Sequence, residues 1–345
     1  MHMADALISP AVGGAMWAAT AGLTAYSAKK VRVGLDERKA PLMGVLGAFI
    51  FAAQMINFTI PGTGSSGHLG GGLILAVLLG PYAGLLTMAS ILAIQAFFFG
   101  DGGLLAMGCN ILNLGFYPCF IAYPLLFKPI AGKQPTPGRI LIGASLAGII
   151  GLQLGAFSVV LETIASGISE LPFNTFLLLM QPIHLGIGIV EGLVTATVVT
   201  FVWKARPEIL IKTASGEAYG KIPIKQVLIG LLLVTALTGG VLSWFASANP
   251  DGLEWSMFHT SGKEELEAPQ GIHQTLAGIQ EKTAILPDYG IKAPEETVSA
   301  TEAEPVETWP AVSGGTTVSG LVGGLFTLLL AGLIGYGLRL IKKHA

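Results

Sequence analysis

Long apolar runs, separated by short loops that carry most of the basic residues, limit what this chain can fold into. The runs lie at about 11–28, 41–58, 73–99, 105–127, 139–164, 178–203, 225–246 and 314–341. Most approach the roughly 20 apolar residues that cross a bilayer as a helix. Only 12% of residues are charged and 52% are hydrophobic, whereas an ordinary soluble domain is about a quarter charged. The expected fold is therefore an all-α polytopic membrane protein. Gly80-Pro81 interrupts the 73–99 run, which we read as two short segments, making nine in all.

Charge distribution supports that split, because Lys and Arg gather on the cytoplasmic side of membrane proteins. With the split, the loops 29–40, 128–139 and 204–225 and the C-terminal tail are internal. They hold every basic residue except Lys263, Lys282 and Lys292. Those three share the 247–313 loop, which is then external. An unsplit run would put Lys128, Lys133 and Arg139 outside. The same topology puts the N-terminus and the 61–72 loop outside the plasma membrane.

A composition shift near 204–225 divides the chain into 1–215, with seven spans, and 216–345, with two spans around the external loop 247–313. That loop carries 12 of the 21 acidic residues, and its 280–310 stretch reads as extended and partly disordered. Residues 1–10 contain Asp5 and no Lys or Arg, which does not fit a signal peptide. Cys109 and Cys119 lack CxxC spacing and read as small buried thiols.

The first residues, Met1-His2-Met3-Ala4-Asp5, carry a chelating pattern. The Met1 amine, the deprotonated His2 amide nitrogen and His2 Nδ1 close a five- and a six-membered ring. One equatorial position stays open in a plane suited to Ni(II) or Cu(II). The ordinary alternative is an exposed terminal histidine. A second histidine, His68, ends a Gly/Ser-rich loop running from Pro61 to Gly72. Irregular backbone at membrane depth is tolerated only where protein or a cavity surrounds it, so His68 is a candidate ligand on the same face.

His184 and Glu191 lie in the seventh segment, which His184 begins, and Glu162 lies near the outer end of the sixth. All three are intramembrane ionisable residues and hence functional candidates. His184 and Glu191 are about 10 Å apart along one helix face, too far to share one metal. His259 and His273 read as solvated residues of the acidic loop, and His344 belongs to the tail. No phosphate-binding G-x-x-x-x-G-K-[ST] loop, no H-E-x-x-H and no basic, aromatic-rich face is present. ATP hydrolysis by this chain, zinc proteolysis and nucleic-acid binding therefore have no motif.

Three stretches carry a family resemblance: Met1 to Pro10, Gln54-Met-Ile-Asn-Phe58 running into Pro61-Gly-Thr-Gly-Ser-Ser-Gly-His68, and His184-Leu-Gly-Ile-Gly-Ile-Val-Glu-Gly192. They resemble the nickel/cobalt substrate-binding component of energy-coupling factor (ECF) transporters, the NikM/CbiM family. Asn249-Pro-Asp-Gly-Leu-Glu-Trp255, between two spans, resembles the accessory component NikN/CbiN, so the chain looks like a NikMN-type fusion. Residues 260–310 show no resemblance.

The resemblance implies a seven-helix bundle whose N-terminal segment inserts from outside. It implies Ni2+ (or Co2+) as the transported substrate, held in a plane by the Met1 amine, the His2 amide and imidazole, and the His68 imidazole. Asn57, Ser65 and Ser66 are then groups that orient the terminus and His68, and Asp5 is a nearby compensating charge. The chain would be a transporter component and not an enzyme. Its partners would be a membrane scaffold subunit and cytoplasmic ATPase subunits, within the lipid of a prokaryotic inner membrane. Ala18-x-x-x-Gly22 and the 204–225 loop are candidate scaffold contacts, and the acidic loop would assist loading of the terminus. Planar nitrogen coordination favours nickel; cobalt uptake for cobalamin synthesis is the alternative. An ion-coupled secondary metal carrier would need paired ionisable residues at mid-membrane. A membrane metalloenzyme would need a base beside an open coordination site.

Overall fold

The structure, a computed structural model, describes residues 2–34, 38–263, 266, 268–291 and 309–343. The chain begins with α1 (Pro10–Gly34) and α2 (Lys39–Gln54). A small antiparallel hairpin follows, β1 (Phe58–Ile60) and β2 (Ser65–Gly67), pairing Thr59 with Ser66. Next come α3 (Gly72–Leu79), α4 (Pro81–Phe99), α5 (Met107–Ala131), α6 (Pro137–Ser166) and α7 (Phe173–Ala205). The remainder comprises α8 (Pro207–Ser215), α9 (Lys225–Gly240), α10 (Gly252–Ser261), α11 (Ile272–Thr283) and α12 (Gly314–Lys343). Five helices, α4 to α7 and α12, are long and apolar enough to cross a membrane, while α2 and α9 are apolar but shorter. The fold is all-α, and the chain is a multi-pass membrane protein.

The 73–99 run does break at Gly80-Pro81, but the halves are unequal. Gly80 adopts φ 83°, and Pro81 opens α4, where its missing N–H costs no hydrogen bond. At eight residues, α3 is only about 12 Å long, too short to cross. It is buried throughout, so its hydrophobicity reflects packing inside protein rather than a full span. The third segment is thus shorter than the span expected for it. The far end of α3 is tied to the basic linker: Tyr219 and Thr213 hydroxyls donate to the Leu78 carbonyl at 2.7 and 3.2 Å.

Two further boundaries differ from expectation. The second segment ends at Gln54 rather than 58, and the eighth at Gly240 rather than 246. In α5 the stretch Leu112–Phe127 forms wide π turns around Pro118 and Pro124, each of which removes a helix donor.

Small residues set the helix packing. A methyl on Gly148 (α6) would lie 2.9 Å from the Gly192 nitrogen (α7), and one on Gly188 would lie 2.8 Å from Ile149 Cα. Close backbone approach of this kind is how apolar helices associate where lipid removes the hydrophobic driving force. The same device joins α12 to α2, where a Gly44 methyl would lie 2.7 Å from the Leu328 carbonyl. Cys109 and Cys119 are free and buried.

The expectation of an extended 280–310 stretch is wrong for its first part. Residues 272–283 are helical, and Gln280 Nε2 donates to the Ala96 and Gly102 carbonyls at 2.9 and 2.8 Å. Leu286 N–H donates to Phe98 O at 3.1 Å. These bonds order a polar sequence that has little hydrophobicity of its own. Residues 292–308 lie outside the described residues.

Candidate metal centre

The N-terminal segment is threaded into the protein. Met1 lies outside the described residues. Asn110 grips Met3 in both directions: Met3 N–H donates to Asn110 Oδ1 at 2.8 Å, and Asn110 Nδ2 donates to Met3 O at 3.2 Å. Gly103 N–H also donates to Met3 O, at 2.9 Å. Met3, Leu7 and Ile8 are buried. Asp5 accepts the Ala106 N–H at 2.9 Å; burial raises its pKa above the usual carboxylate value. The accessory region closes over this segment, because His273 on α11 is buried and its Nε2 lies 2.8 Å from the Ile8 carbonyl. His273 is therefore not the solvated loop residue its acidic surroundings suggested.

His2 and His68 meet. Their rings stack with centroids 4.9 Å apart and planes 8° from parallel. His68 Nδ1 lies 3.0 Å from the Leu69 carbonyl. A carbonyl only accepts, so Nδ1 carries the proton and Nε2 is left as the lone-pair donor. Burial pushes the His68 pKa down to about 3, so the ring is neutral and ready to ligate across the physiological range. The His2 side chain is 7% exposed, and its Nδ1 lies 3.1 Å from Asp101 Oδ1. Burial alone would raise the Asp101 pKa. The facing His2 and the Tyr289 hydroxyl overcome that effect and hold it at about 2.

The His68 loop is held from three sides. On α7, the Glu191 carboxylate accepts the backbone N–H groups of Gly70 (2.9 Å) and Gly71 (3.0 Å). On α2, Gln54 Nε2 donates to Gly70 O at 2.9 Å, and Gln54 Oε1 accepts from Gln95 Nε2 at 2.9 Å. From the accessory region, Pro250 O accepts the Ser66 N–H at 2.8 Å, and Ser66 Oγ donates to Asn249 O at 2.7 Å. These bonds satisfy irregular backbone at a depth where water is scarce.

Asp251 then caps α10 with a capping box, its carboxylate accepting from Leu253 and Glu254 N–H. Gly252 allows this close fit, since a methyl there would sit 2.6 Å from Ile183 Cγ2. A cavity of about 10 Å³ remains between His68, His184, Asp251 and Ile187.

The remaining candidates are placed as follows. His184 is not at the start of its helix; it is about 17 Å along α7, buried, with Nδ1 2.8 Å from Met180 O. Although too far apart to share a metal, His184 and Glu191 both face the His68 loop. Glu162 accepts from Asn113 Nδ2 at 2.8 Å. The Asn57 carbonyl accepts the Ser247 N–H at 2.8 Å, and Ser65 Oγ lies 2.8 Å from Thr63 Oγ1. The bonds of Asn57 and Ser66 thus tie the hairpin to the accessory segment. His259 is exposed and stacks on Trp255. His344 lies outside the described residues. Among the described residues no three His, Cys, Asp or Glu side chains converge as a metal cluster.

Sequence reasoning missed Asp101, Asn110, Gln95 and Tyr289. Asp101 did carry a signal: it is a lone acid between glycines, Gly100-Asp-Gly-Gly103, where an apolar run ends. Tyr289 carried none, because it lies in the stretch without resemblance.

The fold and centre define a class: a polytopic membrane protein whose own N-terminal segment and a buried histidine loop form one polar site inside the bundle. Residues 2–209 match the family described as the cobalt uptake substrate-specific transmembrane region, CbiM, and the chain belongs to that family. Residues 225–340 match the PDGLE domain, whose name is spelled by Pro250 to Glu254. Among its relatives is the putative fused nickel transport protein NikMN of Archaeoglobus fulgidus, 33% identical, with 69% of this chain and 76% of that one covered. Another is the probable fused nickel transport protein LarMN of Lactiplantibacillus plantarum, 30% identical, covering 80% and 81%. A crystal structure described as a transition metal transporter superposes with a TM-score of 0.53 at 31% identity, covering 61% of this chain and 97% of that one.

Proposed function

We propose that the chain is the substrate-binding component of an ECF-type importer and takes up Ni2+, with Co2+ as the alternative cargo. The ion is held in a plane by the Met1 amine, the His2 amide nitrogen, the His2 imidazole and the His68 imidazole. The observation that carries this reading is the stacking of the His2 ring on His68 at the end of a buried N-terminal segment. A nitrogen plane of this type suits low-spin Ni(II). In this reading residues 1–215 bind metal, residues 216–345 form the accessory unit, and the site opens to the outside. ATP is hydrolysed by partner subunits joined through a membrane scaffold, whose movement pulls the terminus away from His68.

Loading carries one requirement: His2 Nδ1 faces Asp101, so the ring must exchange that carboxylate for the cation.

Proton release gives the test. His68 is already neutral, its pKa held near 3 by burial, so it adds no acid sensitivity until well below pH 5. The Met1 amine and the His2 amide must each lose a proton to bind. The His2 ring must also be neutral, so affinity measured by equilibrium dialysis against nickel is expected to fall at least about a hundredfold per pH unit between about pH 7 and 5. Cobalt included as competitor is expected to bind more weakly. A flat profile would point to carboxylate ligands and contradict the chelate.

A further inference from the structure

The accessory segment after α11 does more than cover the site. It returns to the bundle at Leu286, whose N–H donates to Phe98 O, and then turns sharply at Pro287–Tyr289. Asp288 and Tyr289 hold φ of 49° and 57°, a left-handed conformation that non-glycine residues seldom adopt unless their surroundings enforce it. The enforced turn aims Tyr289 into the bundle. Its ring stacks on Phe99 at 5.0 Å and lies against Phe51 at 6.2 Å. Its hydroxyl donates to Asp101 Oδ2, while Asp101 Oδ1 faces His2 Nδ1. The same hydroxyl lies 3.4 Å from Gln95 Nε2, which bonds Gln54, which bonds the Gly70 carbonyl. One hydrogen-bonded path thus runs from His2 to the backbone two residues beyond His68, and Tyr289 is its junction.

We propose that Tyr289 is a positioning residue of the metal centre: its hydroxyl fixes Asp101, whose carboxylate holds His2 Nδ1 until the cation takes that nitrogen and then stays beside it as the counter-charge, so the accessory segment sets where that charge stands. This rests on the planar-chelate reading above. In that reading a divalent ion bound to one deprotonated amide keeps one net positive charge. A carboxylate held beside the His2 ring compensates it in a site where water screens little. Tyr289 keeps the carboxylate there while leaving the four nitrogens as ligands.

The test uses the purified full chain and nickel alone, with Tyr289→Phe, Asp101→Asn and the double variant. Phenylalanine retains the stacking on Phe99 and Phe51 and removes only the hydroxyl, so the metal-free melting temperature is expected to stay near that of the parent. Nickel release from Tyr289→Phe is expected to be about tenfold faster, the size of one hydrogen bond to a charged group. The double variant is expected to release nickel no faster than Asp101→Asn alone, because both changes break one path. Release from Tyr289→Phe at the parent rate, or strictly additive effects in the double variant, would overturn the proposal. A chain extended by two residues before Met1 serves as the control. If the extension leaves nickel binding intact, the chelate reading itself fails. If it abolishes binding while Tyr289→Phe behaves like the parent, only the role of Tyr289 fails.

Discussion

Replacing His68 with alanine is expected to lower nickel affinity about a thousandfold in equilibrium dialysis. Groups that only orient a metal ligand are worth roughly 10–100-fold in affinity, and His68 is proposed as a ligand itself. The substitution removes one of four equatorial nitrogens and replaces it with solvent or nothing. The fold is expected to survive, because the hydrogen bond lost is that of Nδ1 to the neighbouring Leu69 carbonyl. The visible absorption of the nickel complex reports the same change independently. A yellow planar band is expected for the parent, and its loss or marked shift for His68→Ala. An unaltered band would remove His68 from the coordination plane.

Glu191→Ala is expected to have the second largest effect, although Glu191 touches no metal. Its carboxylate accepts the N–H groups of both Gly70 and Gly71 in a buried place. Removing it leaves two backbone donors without an acceptor, at about 1–3 kcal/mol each. The His68 loop then loses its attachment to α7, and His68 no longer waits opposite His2. Both a lower melting temperature and a nickel affinity reduced about a hundredfold are expected. Glu191→Gln keeps one acceptor oxygen and is expected to fall between alanine and the parent. Parent-like melting and affinity in Glu191→Ala would show that the loop is held by its other contacts alone.

Much of the architecture was legible from apolar runs, because helices that face lipid must be hydrophobic along most of their length. Gly80-Pro81 marked a true break for a local reason: a left-handed glycine followed by a residue with no N–H. The length of α3 was not legible. A helix buried in protein and a helix crossing lipid are equally apolar, and depth is fixed by partners such as Tyr219 and Thr213 at its end. His2 and His68 were legible as candidate partners, and their rings do stack.

What the sequence hid was the set of long-range polar bonds that bring the two histidines together. Glu191 was noticed as an intramembrane acid, but that its partners are the Gly70 and Gly71 amides depends on how α7 packs. His273 and Tyr289 sit in a polar, acidic stretch whose composition predicts solvation. Specific bonds to Ile8, Asp101 and Gln95 bury and order them instead, and no periodicity announces such bonds.

The central claim is that the chain's own first two residues supply ligands to the cargo. Equilibrium dialysis of nickel against the full chain with two residues added before Met1 tests it most directly. The extension displaces the free amine from its place beside His2 and converts it to an amide. The chelate account predicts that nickel binding is lost, by at least about a thousandfold in affinity. Nickel affinity unchanged by the two added residues would contradict it.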